Sequence, residues 1–235
     1  MEHVAWLSCV ESKKERFPLT AFDKIGFEQR SEYLIKGLFP NAGLTVVWGP
    51  PKCGKTFWVL DALMHVAQGS AYRSHRVIRG LVVYCALEGV SGFRNRVEAF
   101  RQYRLGKSDQ PSFSLMSGSL RLVSDQRAFI HSICDQIGEE KPAAICIDTL
   151  NRSLEGSESS DEDMANYIRA ADALREAFDC LVVIIHHCGH NGERPRGHSS
   201  LIGAVDVQIA VRNTAGTIVA KVELAKDGDC ASSRN

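Results

Sequence analysis

One eight-residue stretch, Gly49-Pro50-Pro51-Lys52-Cys53-Gly54-Lys55-Thr56, constrains this chain more than any other. The apolar run Leu44-Thr45-Val46-Val47-Trp48 precedes it, and Phe57-Trp58-Val59-Leu60-Asp61-Ala62-Leu63-Met64 follows with a helical pattern. A strand, a glycine-bounded loop and a helix in that order aim backbone N–H groups and the positive end of a helix dipole at one point. That geometry binds anions. The G-x-x-x-x-G-K-T spacing suits a polyphosphate in particular. Gly54 lets the main chain approach closely, Lys55 reaches the β- and γ-phosphates, and the Thr56 hydroxyl takes a place on Mg²⁺. All eight residues are therefore expected to contact a nucleoside triphosphate.

Composition narrows the setting. A chain of 235 residues with 44% apolar content has ample material for one large core. Twenty-eight basic side chains balance 28 acidic ones, so no bulk field draws the protein to nucleic acid or membrane. Any such contact needs a local patch. The eight cysteines are scattered singly without a C-x-x-C pair, and Cys85 and Cys146 lie inside apolar runs where a thiol acts as a small hydrophobe. Free thiols of this kind, with no membrane-length apolar run and no signal-peptide core, suggest the reducing cytoplasm.

Apolar runs alternate with helical patterns along the chain, the signature of a largely parallel α/β sheet with helices on both faces. The runs 44–48, 81–87, 143–148 and 181–187 read as strands buried on both sides. Helices are expected over 125–138, with Phe129, Ile130, Ile133, Cys134 and Ile137 inward, and over 160–179, with Met164, Tyr167, Ile168, Ala171, Leu174 and Phe178 inward. Ser159-Ser160-Asp161-Glu162 reads as a capping box. Val205–Val211 and Thr217–Leu224 flank Asn213-Thr214-Ala215-Gly216 and form a closing antiparallel hairpin. The expected division is an N-terminal extension over 1–32 packed against the sheet, a core domain over 33–228 and a short tail over 229–235 that reads as truncated.

Each strand end offers a side chain of the right chemistry. Asp148 follows Ala144-Ile145-Cys146-Ile147 at a carboxyl edge, where open α/β sheets bind ligands, and can hold Mg²⁺ with Thr56. Glu88 ends the run 81–87; on a strand beside the phosphate-loop strand it could orient or deprotonate the attacking water. His187, after a third run, can hydrogen-bond a γ-phosphate, whereas His186 alternates to the other side. His186, His187, Cys188 and His190 lack a second ligand pair at a usual zinc spacing. Arg194 and Arg196 sit in a loop without regular pattern; they could stabilise charge in a neighbouring subunit's site or grip a nucleic-acid phosphate. Lys226 is a second candidate for the first of these roles.

Four stations in this order resemble the RecA-like superfamily. Gly49–Thr56 is similar to its Walker A motif, Ala86-Leu87-Glu88-Gly89 to the segment of its catalytic glutamate, and Ile145–Leu150 to its Walker B motif. His186-His187 and Arg196-Gly197-His198-Ser199-Ser200 resemble the sensor strand and the arginine-bearing stretch of the plasmid RepA-type hexameric helicases, grouped with DnaB-type helicases and bacterial and phage AAA-family ATPases. The likeness starts at Tyr33-Leu34-Ile35-Lys36-Gly37-Leu38 and runs to about Gly228. It implies a RecA-like P-loop fold and an ATP-hydrolysing enzyme. Its subunits would form rings, hexameric in the helicases, with ATP between neighbours and single-stranded DNA in a central channel. Preference for ATP over GTP rests on the resemblance alone. Lys55, Glu88, Asp148, His187 and Arg196 would then be the catalytic set, with Thr56 and Asp148 on the metal. The loop after Asp148 departs from the pattern: it carries Glu155, Glu158, Asp161, Glu162 and Asp163, whereas a DNA-gripping surface should be basic. A regulatory ATPase of the same fold, acting on a protein partner, therefore stands beside the DNA motor, and a small-molecule phosphotransferase stands as a third alternative.

Overall fold

A computed structural model describes residues 19–26, 33–106, 109–188 and 200–226. The chain divides into two compact units, Met1–Arg30 and Ser31–Asn235. In the first, the described stretch holds one turn of 3-10 helix, Phe22–Lys24, with Leu19, Phe22 and Ile25 exposed. The expected boundary at residue 32, the tail 229–235, Arg194 and Arg196 lie outside the described residues.

The second unit begins with a small antiparallel pair, β1 (Tyr33–Ile35) and β2 (Phe39–Pro40). There follow β3 (Gly43–Gly49), α1 (Lys55–Gln68), β4 (Leu81–Ala86), α2 (Val90–Arg104), β5 (Phe113–Ser117), α3 (Leu122–Ile137) and β6 (Pro142–Asp148). The chain continues through α4 (Leu150–Ser153), α5 (Asp161–Phe178), β7 (Leu181–His187), α6 (Ser200–Ala204), β8 (Val207–Thr214) and β9 (Thr217–Ala225). Seven strands form one sheet in the order β5-β4-β6-β7-β3-β8-β9. All its pairings are parallel except β8 with β9. This is the RecA-like α/β arrangement with its C-terminal hairpin. Among the described residues no helix is long and apolar enough to cross a membrane.

Alternation along the central strands divides the core. Val47, Cys146, Val183 and Ile185 face a layer with Val59, Leu63 and Val66 of α1 and Phe93 and Phe100 of α2. Val46, Trp48, Ile145, Ile147, Val182 and Ile184 face Phe129 and Ile133 of α3 and Met164, Tyr167 and Leu174 of α5. Period-two strands between period-3.6 helices need apolar residues on both faces, hence the unbroken Val and Ile runs.

The structure departs from the sequence expectations at four points. β5 escapes the sequence pattern because it is an edge strand, half-buried or exposed along its length, and carries no continuous apolar run. The N-cap of α5 is Ser160, not Ser159; its hydroxyl accepts the Asp163 N–H at 3.2 Å, while the Asp163 carboxylate accepts the Ser157 N–H at 2.9 Å. The return leg of the box thus ties down the preceding loop. Finally, β4, which leads to Glu88, is not beside β3: β6 and β7 stand between them. The hairpin turn is only Ala215-Gly216, with φ of 50° and 84°, as a tight turn matched to strand twist requires.

Candidate active site

Register brings the candidate residues to one edge. Gly49 pairs with His187, Asp148 with Ile185, and Ala86 with Asp148, so the carboxyl ends of β3, β7, β6 and β4 lie side by side. The loop after β3 depends on two glycines. Gly49 has φ 157°, and a Cβ there would lie 2.1 Å from the Val211 carbonyl oxygen of β8. Gly54 has φ 99°, and a Cβ there would meet Ile218 of β9 at 2.5 Å. The Cys53 thiol donates to the same Val211 carbonyl at 3.1 Å. Gly49→Ala is therefore expected to cost about 3 kcal/mol, combining backbone strain and overpacking, and to lower the Tm by about 6–12 °C. Gly216→Ala, also at positive φ but with open space around it, should cost only the strain, about 1–2 kcal/mol. Thermal unfolding of the two variants checks the difference.

The loop ends on Gly54, which caps α1 in a left-handed conformation without a side-chain hydrogen bond, and the first turn holds no acidic residue. The N-terminal N–H groups of α1 are thus left for an external anion. Lys55 is nearly fully buried, and its Nζ donates to the carbonyls of Gly49 at 2.9 Å and Pro50 at 2.8 Å. Burial lowers its pKa below the usual lysine value, while Cys53, Cys188, Asp148 and Glu88 oppose that shift.

Asp148 is 2% exposed at the end of β6. The Tyr84 hydroxyl, from the neighbouring β4, donates to its Oδ2 at 2.9 Å. Burial raises its pKa, and hydrogen bonding from Thr56 and Tyr84 partly offsets the rise. Even so, Oδ1 is buried and has no hydrogen bond of normal geometry among the described residues. A buried carboxylate with one oxygen lacking a hydrogen bond, on a side chain that also interacts with the Thr56 hydroxyl, is a donor set for a hard divalent cation, so these residues fit Mg²⁺. The Asp148–Thr149 peptide is cis.

Glu88 stands two residues past β4. The Leu87 N–H donates to the Asp148 carbonyl at 2.8 Å, which fixes the two strand ends together. Its Oε2 accepts from Arg152 Nε at 3.3 Å. Glu88 is close enough to Lys55 and Asp148 to act on both electrostatically. His187 is half-buried at the end of β7, and His186 is fully buried on the other side of the strand. Lys226 is engaged within its own chain: Nζ donates to the Ala204 carbonyl at 3.1 Å and lies 3.6 Å from Asp206. A cavity of about 320 Å³ adjoins the loop, lined in part by Phe57, Asp61, Tyr103 and Ile218, with the Arg96 guanidinium 4.2 Å above the Phe57 ring.

Sequence reasoning missed Tyr84 and Arg152. Tyr84 stands out as the one hydroxyl in an otherwise apolar strand, and Arg152 as the first cation after Asp148. Neither pattern says which carboxylate the side chain meets.

No curated protein sequence matches this chain. Residues 11–193, most of the chain, match the AAA domain family. Glycine-built loop, buried lysine, strand-end carboxylates and this match agree, and the chain belongs to the AAA domain family, a family of the P-loop ATPase type.

Proposed function

We propose that this protein hydrolyses ATP with Mg²⁺ and works as a ring-forming, DNA-stimulated motor of the RepA-type group. The observation that carries the ATPase reading is the convergence of Lys55, Asp148 and Glu88, from three separate segments, on the N-terminus of α1, whose Gly54 cap brings no side-chain hydrogen bond. Backbone N–H groups from Lys52 to Thr56 cradle the phosphates, and Lys55 exchanges its loop carbonyls for β- and γ-oxygens. Thr56 and Asp148 would hold Mg²⁺, which would supply positive charge against the phosphates. Glu88 orients or deprotonates the attacking water. His187 bonds the γ-phosphate, and Arg196 reaches a neighbour's site in the ring. The Phe57–Arg96 cavity is of a size to take the base.

The acidic loop bears on the choice of partner. Several of its carboxylates are engaged in local hydrogen bonds. The Glu155 carboxylate accepts the Ser124 N–H at 2.9 Å and hydroxyl at 3.0 Å in the first turn of α3, where an anion also meets the helix dipole. Glu158 accepts from Asn151 at 2.8 Å, and Asp163 holds Ser157. Acidity explained by local bonding is a weaker argument against DNA than the same charges free in solvent. The zero net charge favours the second reading, a regulatory ATPase acting on a protein partner.

The deciding experiment measures phosphate release from Mg-ATP with and without single-stranded DNA, alongside sedimentation of the ATP-bound protein. Stimulation of severalfold together with a ring-sized species is the expected result. Unstimulated turnover by a monomer would reject the motor and leave the partner-directed ATPase. ATP consumed without free phosphate would signal a phosphotransferase instead.

A further inference from the structure

The geometry points to Arg152 as a positioning residue for Glu88: it holds one carboxylate oxygen and so turns the other towards the attacking water. This inference rests on the ATPase reading, and it adds a residue that the Walker motifs do not contain. Glu88 lies beyond the end of its strand, next to Gly89 at φ 62°, where nothing in the backbone fixes a glutamate rotamer. Arg152 supplies its one ion pair among the described residues, through Nε and Oε2. Among the described residues Oε1 takes no hydrogen bond. With that pair formed, Glu88 remains within electrostatic reach of Lys55 and Asp148, so the contact holds the carboxylate at the site rather than away from it.

The anchor itself is firmly held. Arg152 belongs to α4, which starts two residues after Asp148, so metal ligand and anchor share one short segment. The Ser153 hydroxyl bonds the Thr149 and Leu150 carbonyls at 3.1 Å each and the Tyr167 hydroxyl of α5 at 2.8 Å. Asn151 reaches across to Glu158. A fixed four-residue helix thus presents a long side chain to a carboxylate that has no other ion pair among the described residues.

Stability gives no reason for the pair. The Arg152 and Glu88 side chains are 61% and 39% exposed, and ion pairs of that kind contribute little to folding. A merely structural role predicts no change in turnover when Arg152 is removed. A positioning role predicts a loss that depends on Glu88.

The test is a double-mutant cycle on the full chain, reading kcat and KM for phosphate release with Mg-ATP, with and without single-stranded DNA. Glu88→Gln is expected to slow kcat about 10²-fold. Arg152→Ala should lower kcat about 10-fold, since small displacements of a catalytic group act at that scale, with KM for ATP and the melting temperature unchanged. Arg152→Lys should recover most of the loss, because a single contact needs the charge more than the fork. In the Glu88→Gln background, Arg152→Ala should have no further effect. Wild-type kcat in Arg152→Ala, a rise in kcat, or the same 10-fold loss in both backgrounds would overturn the assignment. A wild-type chain that releases no phosphate under either condition would instead overturn the ATPase reading beneath it.

Discussion

Replacing Lys55 with alanine is expected to reduce ATP turnover to background and to weaken nucleotide binding by roughly 10²-fold, because a hydrogen bond from a charged donor contributes about 1.5–3 kcal/mol and tenfold in affinity is about 1.4 kcal/mol. The ammonium is already desolvated: burial lowers its pKa, and the two loop carbonyls at 2.9 and 2.8 Å take the place of water. Phosphate oxygens can replace those carbonyls with little further desolvation, which is why this lysine should matter more than an exposed one. Folding should respond weakly. Alanine removes two hydrogen bonds but also a buried charge, and the opposing terms should keep the Tm within about 3 °C. Titration of the variant with a fluorescent ATP analogue, beside its thermal melt, separates these effects. Wild-type affinity in a folded alanine variant would show that the loop from Gly49 to Thr56 is not the phosphate site.

The sequence made the buried part of the fold readable because both-face burial leaves an unbroken apolar run, as in 44–48, 81–87, 143–148 and 181–187. β5 obeys no such rule. Its residues Phe113-Ser114-Leu115-Met116-Ser117 are held at an edge by pairing with β4, and pairing leaves no mark on composition. Helix stripes were legible for the same reason as the strands: Phe129 and Ile133, and Met164, Tyr167 and Leu174, are buried as their spacing requires. Strand order was not. Sequence neighbours β3 and β4 are separated by β6 and β7, and only the packing of crossover helices onto two faces decides that.

The site was legible where chemistry requires residue types at fixed spacing, as in Gly49 to Thr56, or where a strand must end on a polar group, as at Asp148. It was opaque where partners meet from distant positions. Tyr84 and Asp148 touch across 64 positions in the chain, and so do Glu88 and Arg152. Both contacts follow from the β4–β6 pairing that sets Ala86 beside Asp148. Glu88 comes within electrostatic reach of Lys55 without contact between β4 and β3, and the Leu87 N–H to Asp148 carbonyl bond fixes its strand end to β6. The acidic loop is opaque for a related reason: its charges are plain in the sequence, but not that they cap α3 and hold Asn151 and Ser157.

Asp148→Asn is expected to move activity and stability in opposite directions. Burial raises the Asp148 pKa in the folded chain above the 3.8 of the unfolded one. Between those two values the folded state binds more protons than the unfolded state, so stability falls as pH rises through the window. The penalty is absent below the unfolded value and complete above the folded one. Where the carboxylate is ionised, the native protein carries a buried charge that Tyr84 and Thr56 only partly compensate, and Oδ1 has no hydrogen-bond partner among the described residues. Asparagine keeps the shape, and its carbonyl still accepts the Tyr84 hydroxyl. Relief of the charge should stabilise by about 0.5–2 kcal/mol, which for a domain of this size raises the Tm by about 2–6 °C at pH 7. The gain should shrink as the pH is lowered through the window between the folded and unfolded values, where the native aspartate takes up its proton. Turnover should fall by roughly 10²-fold or more, because the amide is a poor ligand for a cation that stabilises transition-state charge by several kcal/mol. Paired melts at pH 7 and pH 4.5, with phosphate release at pH 7, make the comparison. An asparagine variant that melts lower than the native chain at pH 7 would mean the carboxylate is compensated in the free protein. The argument from its bare oxygen to a metal would then fail.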